Sequence, residues 1–401
     1  MRHRHRHRQP LPPRTVPNGF SIVELMLGLT IGLLASVVIA QVFIQSEAHR
    51  RTTSGAADAH QGGTIASWRM MRDLRMAGAG LQHGPTLWGC GLEAWFDGSR
   101  LLPAAAWPAP FEAFPVALPL APIVVIDGGG AAPDAILVMA ARGGAGPAPT
   151  PASIVDDTRI DLATSVGLGA GNLLLMADMA AIAPCRIGQV AAGFATVPGV
   201  PAPRAVPTGV PGSGYNAPGG FSTLAPDRDY AVIDLGGTPS IAMYGVVGGT
   251  LVQYDVLRTS GLAVPTVQAE NVENLQVLYG VDDGTGGVAN DNVVDRWVVP
   301  GTAGFDAASM LAGGAGVLQV KSIRLALVMR ASEPSSVEGP AELVMFGDLA
   351  TPLQVRVTVP TAERRFARQV VDLVIPLRNQ WIALCAEERR AAGLPAPGTC
   401  G

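Results

Sequence analysis

Glu24 is the only charged residue between Arg14 and Glu47. A carboxylate in an apolar phase costs up to ~3 kcal/mol on insertion scales, so it marks a function and needs a partner. The positive end of its own helix returns about 0.3–1 kcal/mol, which does not offset that cost. Few other groups in the chain could do chemistry. The six histidines are His3, His5, His7, His49, His60 and His83, and the last 318 residues hold none. His-based triads and His-rich metal sites are therefore excluded from most of the chain. Lys321 is the only lysine, and its strand context predicts an ammonium shown to solvent rather than a Schiff base. No GxSxG, Walker-type or GxGxxG motif stands in the strand-to-helix context its chemistry requires. The expectation is a protein that is not an enzyme.

The element that must position Glu24 is the run from Phe20 to Phe43, 24 residues without Lys, Arg, Asp or His. At ~1.5 Å per residue a helix of that length reaches about 36 Å, enough to cross a hydrocarbon core of about 30 Å. Arg2, Arg4, Arg6, Arg8 and Arg14 precede it, and positive flanks stay in the cytoplasm, so everything after the run is expected outside. An ordinary secretory signal has a small-residue cleavage site after its apolar core; here Gly19 stands before it. Gly28, Gly32, Ser36 and Ala40 recur every four residues and thin one helix face, as in small-xxx-small helix packing.

The stretch GFSIVEL, residues 19–25, resembles the class III signal of type IV prepilins. The resemblance implies that a prepilin peptidase cuts between Gly19 and Phe20 and methylates Phe20. It also implies that Glu24 pairs with the free amino group of a neighbouring subunit's first residue. Cleavage creates that amine, which links processing to assembly.

Removing the five leader arginines takes the formal charge from −4 to about −9, and no basic block follows residue 43. A nucleic-acid role has no electrostatic footprint. Only 15% of residues are charged, against 49 glycines and 33 prolines, a composition that favours strands joined by turns. The helix is expected to continue past the membrane, with Ile65, Trp68, Met71 and Leu74 forming an apolar face. Gly55, Gly62 and Gly63 weaken it by about 1 kcal/mol each and predict a bend or fraying; Gly78 and Gly80 predict its end. Buried strands are expected at 123–127, 135–140 and 172–178 between Pro-rich surface loops. In KSIRLALVMR, Ile323, Leu325, Leu327 and Met329 alternate with Arg324, Ala326 and Val328. In RQVVDLVIPLRN, Val371, Leu373, Ile375 and Leu377 share a face, and both segments read as central sheet strands.

WRMMRDLRMAGAG followed by WGCG, then AENVENLQVLYGVDD, NDNVVDRWV, VLQVKSIRLALVMRASEPSS and VDLVIPLRN, resemble in that order the PilW-like minor pilins of type IV pili. The resemblance covers residues 14–90 and 269–379 and only loosely the middle. It implies an α+β, pilin-like fold: a long N-terminal transmembrane helix packed on a mainly antiparallel β-sheet head with long Gly/Pro-rich loops. The expected organisation is a cleaved leader (1–19), the pilin helix (20–78, with 20–43 transmembrane), a Pro/Gly-rich β-containing insertion (79–228) and a C-terminal β-rich head (229–401). The implied function is a low-abundance subunit that primes pilus assembly. Its implied partners are prepilin peptidase, other minor and major pilins and the inner membrane, with the head periplasmic and then part of the pilus. A minor pseudopilin of a type II secretion system shares the signal and the plan; a signal-anchored periplasmic enzyme is the distant alternative.

Four cysteines in an exported chain, Cys90, Cys185, Cys385 and Cys400, suggest two disulfides with three possible connectivities. Cys90 with Cys185 and Cys385 with Cys400 is favoured, because the second pair closes a short loop worth about 3 kcal/mol. No cofactor is expected apart from one candidate ion. The stretch YGVDDGTGGVANDNVVDRW offers Asp283, Asp291 and Asp295 as Ca²⁺ ligands, but it lacks the ordered D-x-[DN]-x-[DN]-G pattern, so a solvated hairpin loop is favoured over an ion site.

Overall fold

The computed structural model describes residues 19–81, 87–143, 149–180, 183–196, 202–225, 228–335 and 337–381. One helix, α1 (Ile22–Leu74), runs unbroken for 53 residues. The helix does not fray at Gly55, Gly62 and Gly63, and what these glycines do is steric. A Cβ on Gly63 would lie 2.8 Å from Met329 Cγ and 2.9 Å from Val371 Cγ2, and one on Gly55 would lie 3.4 Å from Ala331 Cβ. These glycines let the helix approach a sheet closely, and the packing they permit offsets their low helix propensity. The buried face of α1 is accordingly built from small residues and Met: Ala59, Gly63, Ala66, Met70 and Leu74. The expected apolar face is corrected in part, since Ile65 is 44% and Trp68 56% exposed. The helix ends at Leu74, and Gly78 and Gly80 adopt positive φ in the turn beyond it, where the Gly78 N–H donates to the Met139 carbonyl at 2.8 Å.

Strands follow in the order β1 (Leu92–Phe96), β2 (Ser99–Leu102), β3 (Ile123–Ile126), β4 (Ala135–Ala140), β5 (Thr150–Ile154), β6 (Arg159–Leu162), β7 (Leu173–Asp178) and β8 (Cys185–Gln189). Next come β9 (Ala205–Pro207), β10 (Tyr230–Gly236), β11 (Ser240–Val247), β12 (Thr250–Asp255), β13 (Thr266–Glu270), β14 (Val272–Val281) and β15 (Arg296–Val298). Two short helices, α2 (Ala307–Leu311) and α3 (Ala315–Gln319), lead into β16 (Val320–Pro334), β17 (Glu342–Met345), β18 (Val355–Thr358) and β19 (Phe366–Pro376). The fold class is α+β, with mostly antiparallel pairing; β1 and β8 pair in parallel.

The strands form an eight-stranded sheet (β2-β1-β8-β7-β10-β5-β6-β9), a five-stranded sheet (β13-β12-β11-β4-β3), a four-stranded sheet (β15-β14-β16-β19) and the hairpin β17-β18. Strand pairing crosses residue 228: β10 lies between β7 and β5, and β11 pairs with β4. The main core gathers α1, the five-stranded sheet and the inner face of the four-stranded sheet. A second cluster of Leu343, Met345, Phe346 and Val359 covers the outer face over Ala326 and Val328.

That cover explains one departure from the sequence reading. Strand β16 is buried on both faces, so Arg324, Ala326 and Val328 are as enclosed as Ile323, Leu325 and Leu327. A second is Lys321, at the start of the same strand, which is 1% exposed rather than turned to solvent; its place in the strand gives it the side of Ile323 and Leu325, not that of Ala326 and Val328. A third departure is topological. Segment 366–376 is an edge strand, not a central one, because among the described residues β19 pairs only with β16.

Candidate functional site at the helix N-terminus

Ser21 caps α1 with extended backbone (φ −63°, ψ 142°), and its Oγ accepts from the Val23 N–H at 3.3 Å. Glu24 completes the box by accepting from the Ser21 N–H at 3.4 Å. The reciprocal cap satisfies two of the donors that every helix start leaves open. Phe20 is 86% exposed just outside it.

Glu24, Gly28, Gly32 and Ser36 fall on one helical row and, with Phe20, Leu25, Leu29 and Leu33, line a shallow open groove. A Cβ on Gly28 or Gly32 would meet nothing within 4 Å, and Ser36 Oγ donates to the Gly32 carbonyl at 2.8 Å, so its hydroxyl is satisfied within the helix. Ala40 continues the row one turn further on. Segment Ile22–Glu47, with a mean hydropathy of 2.4, is long and apolar enough to cross a membrane, and nothing in the described chain covers it. Gly19 lies at the edge of the described residues; the leader arginines lie outside them.

Elsewhere the predicted site residues are drawn into the architecture. Cys90 and Cys185 form a disulfide with Cα atoms 5.8 Å apart, beside the β1–β8 register pair Leu92–Cys185. Cys385 and Cys400 lie outside the described residues. In the acidic hairpin, Asp283 binds Arg296 Nη2 at 2.6 Å and Nε at 3.0 Å. The Arg296 guanidinium holds the Asp283 carboxyl down to about 2. Asp295 accepts from the Asp283 and Gly284 N–H groups at 2.9 and 2.6 Å, and Asp291 from the Val293 N–H at 2.9 Å. Asp282, fully buried, accepts from the Asn290 and Asn292 N–H groups at 2.6 and 2.7 Å. Each carboxylate staples its own loop. Asp283, Asp291 and Asp295 do not converge, and the described residues contain no group of three or more His, Cys, Asp or Glu arranged to hold a metal.

Three polar clusters had no sequence signal, since their partners are far apart in the chain. Asp73, near the end of α1, accepts from the Tyr244 hydroxyl at 2.6 Å. Asp134 is 2% exposed and accepts from the Gly128 and Val277 N–H groups at 2.9 and 2.8 Å, and burial pushes its carboxyl up to about 7. Arg324 binds Asp372 and Asp348 together, its guanidinium lying over Trp297 and Phe346. All three join segments that lie apart in the chain, which is a structural use of charge.

The fold and this site define an α+β protein whose single long helix has an uncovered apolar half and a half packed under antiparallel sheets. Residues 243–379, from β11 to just past β19, match the family model described as type IV pilus-assembly protein W. That match supports assigning the chain to a PilW-like family, related to type IV pilus assembly. No curated protein and no solved structure matches the chain.

Proposed function

We propose that this chain is a minor pilin, a low-abundance type IV pilus subunit that primes filament assembly. The observation that carries the reading is a conjunction. A chain with a pilus-assembly match in its head also carries GFSIVEL at the start of an uncovered apolar helix. On this reading the helix is held in the inner membrane with its leader in the cytoplasm and its head in the periplasm. Prepilin peptidase removes residues 1–19 and methylates Phe20. The row Glu24, Gly28, Gly32, Ser36 and Ala40 then lies against other pilin helices, and Glu24 pairs with a neighbour's terminal amine. The reading is structural rather than catalytic.

A strain lacking the chain tests this against the pseudopilin alternative. Loss of surface pili, restored by the wild-type chain, with secretion through a type II system intact, is the expected outcome. Intact pili with lost secretion contradicts it.

A further inference from the structure

The sheet edges of this molecule are unequal. Among the described residues, β2 and β3 have four residues each, β9 and β15 three each, and β13, with five, is interrupted by a bulge at Gln268, whose carbonyl accepts from Arg69 Nη1 at 3.1 Å. Short or covered edges are the usual protection against unwanted strand pairing. The exception is β19, with eleven residues and, among the described residues, no strand on its far side.

Register shows which groups that edge offers. The Leu377 N–H donates to the Lys321 carbonyl at 2.8 Å, and the register pairs Ile375 with Ile323, Leu373 with Leu325 and Val371 with Leu327. Odd-numbered residues of β19 therefore bond to β16, and the backbone groups of Val370, Asp372 and Val374 point outward. Pro376 and the irregular register opposite Phe366 mark the two ends of the strand, and between Val370 and Val374 nothing blunts the edge: this stretch holds no Pro, no Lys and no bulge. Its one charge, Asp372, is drawn onto Arg324 at 2.7 Å. Arg324 also serves Asp348 at 2.6 Å, so two carboxylates share one guanidinium and a single negative charge is left over beside the edge.

We propose that the β19 edge is a strand-addition site for an extended segment of a different polypeptide, basic at the residue facing Asp372 and apolar two residues to either side, opposite Val370 and Val374. Main-chain bonds supply the affinity and the alternate side chains the selectivity. A second copy of this chain does not fit. Helix α1 runs alongside β19 in the same direction, since His60 meets Gln369 at 3.0 Å and Asn379 Nδ2 donates to the Ala77 carbonyl at 3.1 Å. Antiparallel pairing of two β19 edges would set two α1 helices antiparallel, with their apolar halves leaving in opposite directions. Only this exclusion rests on the membrane reading above.

The test is residue-resolved hydrogen exchange on the full chain in detergent micelles, with the synthetic peptide Thr-Val-Thr-Lys-Thr-Val-Thr as probe and its Glu-for-Lys counterpart as control. Without peptide, the Val370, Asp372 and Val374 amides exchange about tenfold or more faster than those of Val371 and Leu373. The Lys peptide slows the outward amides about fivefold or more and the Glu peptide leaves them unchanged. Val374→Pro removes only an outward N–H and abolishes the response. Asp372→Asn removes the surplus charge and levels the two peptides, which covers the case in which the proline variant fails to fold. Outward amides already slow without peptide, no response to the Lys peptide, or equal responses to both peptides overturn the proposal.

Discussion

The Ser21 N–H donates to Glu24 Oε2 at 3.4 Å, and Ser21 Oγ accepts from the Val23 N–H at 3.3 Å. Within a single chain, then, Glu24 closes the start of its own helix. A cap is worth about 1 kcal/mol, less than the ~3 kcal/mol cost of an acid in the apolar phase. The cap does not need the charge, because Gln serves at that position as well as Glu.

This separates two roles by mutation. Glu24→Gln keeps the cap and removes the charge. Membrane insertion and leader removal are expected to persist while pili and co-purification of other pilins are lost, since a buried amine left uncompensated costs about 3–5 kcal/mol. Ser21→Ala weakens the cap by about 1 kcal/mol and should leave assembly intact. Normal pili in a strain carrying only Glu24→Gln would assign the residue to its own helix end.

At the helix–sheet contact, Gly63→Leu should lower the unfolding free energy of the full chain by roughly 1–3 kcal/mol through overpacking, because Met329 and Val371 occupy the space a side chain would enter. Gly28→Leu, with nothing within 4 Å, should leave thermal stability of the isolated protein unchanged. Comparing the two melting temperatures in detergent checks both.

The Asp134 carboxyl titrates near 7 in the folded protein, against 3.8 when unperturbed, chiefly because it is buried. The native state therefore binds the proton more tightly than the unfolded chain. Its contribution to stability is fully present below about pH 4 and is lost as pH rises through about 7. Asp134→Asn should flatten this part of the stability–pH curve between those limits. It should also lower stability overall, since one of the two N–H groups loses its acceptor. Chemical denaturation of both proteins at a series of pH values measures the slope; equal slopes would remove Asp134 as its source.

The Cys90–Cys185 bond closes a sequence separation of 95 residues. Cys185→Ser is expected to cost about 2–5 kcal/mol of stability. Reduction of the wild-type chain should lower its melting temperature in the same direction.

Much of this organisation was legible in the sequence, and the exceptions have physical causes. The apolar helix announced itself by its length and its single charge, and the strands at 123–126, 135–140 and 173–178 by short apolar runs between turn signals. What failed was the reading of faces. Ile65 and Trp68 looked like core residues because they are large, but a helix laid closely on a sheet buries its smallest side chains, and Gly63 and Ala66 took that place. Lys321 looked exposed because it is charged, although it is in phase with Ile323 and Leu325. Ala326 and Val328, on the other face, are covered by a hairpin some twenty residues further along, and no local pattern reports that cover. The position of β19 at an edge was likewise hidden, since its composition is that of an interior strand.

The claim on which the functional account depends is that residues 1–19 are a leader cut at Gly19. Its most direct test is intact-mass analysis of the full chain after co-expression with a prepilin peptidase, with Gly19→Val as control. The account predicts a product shortened by 19 residues and carrying a methylated Phe20, absent in the Gly19→Val variant; an uncut chain, or a cut elsewhere, would contradict it.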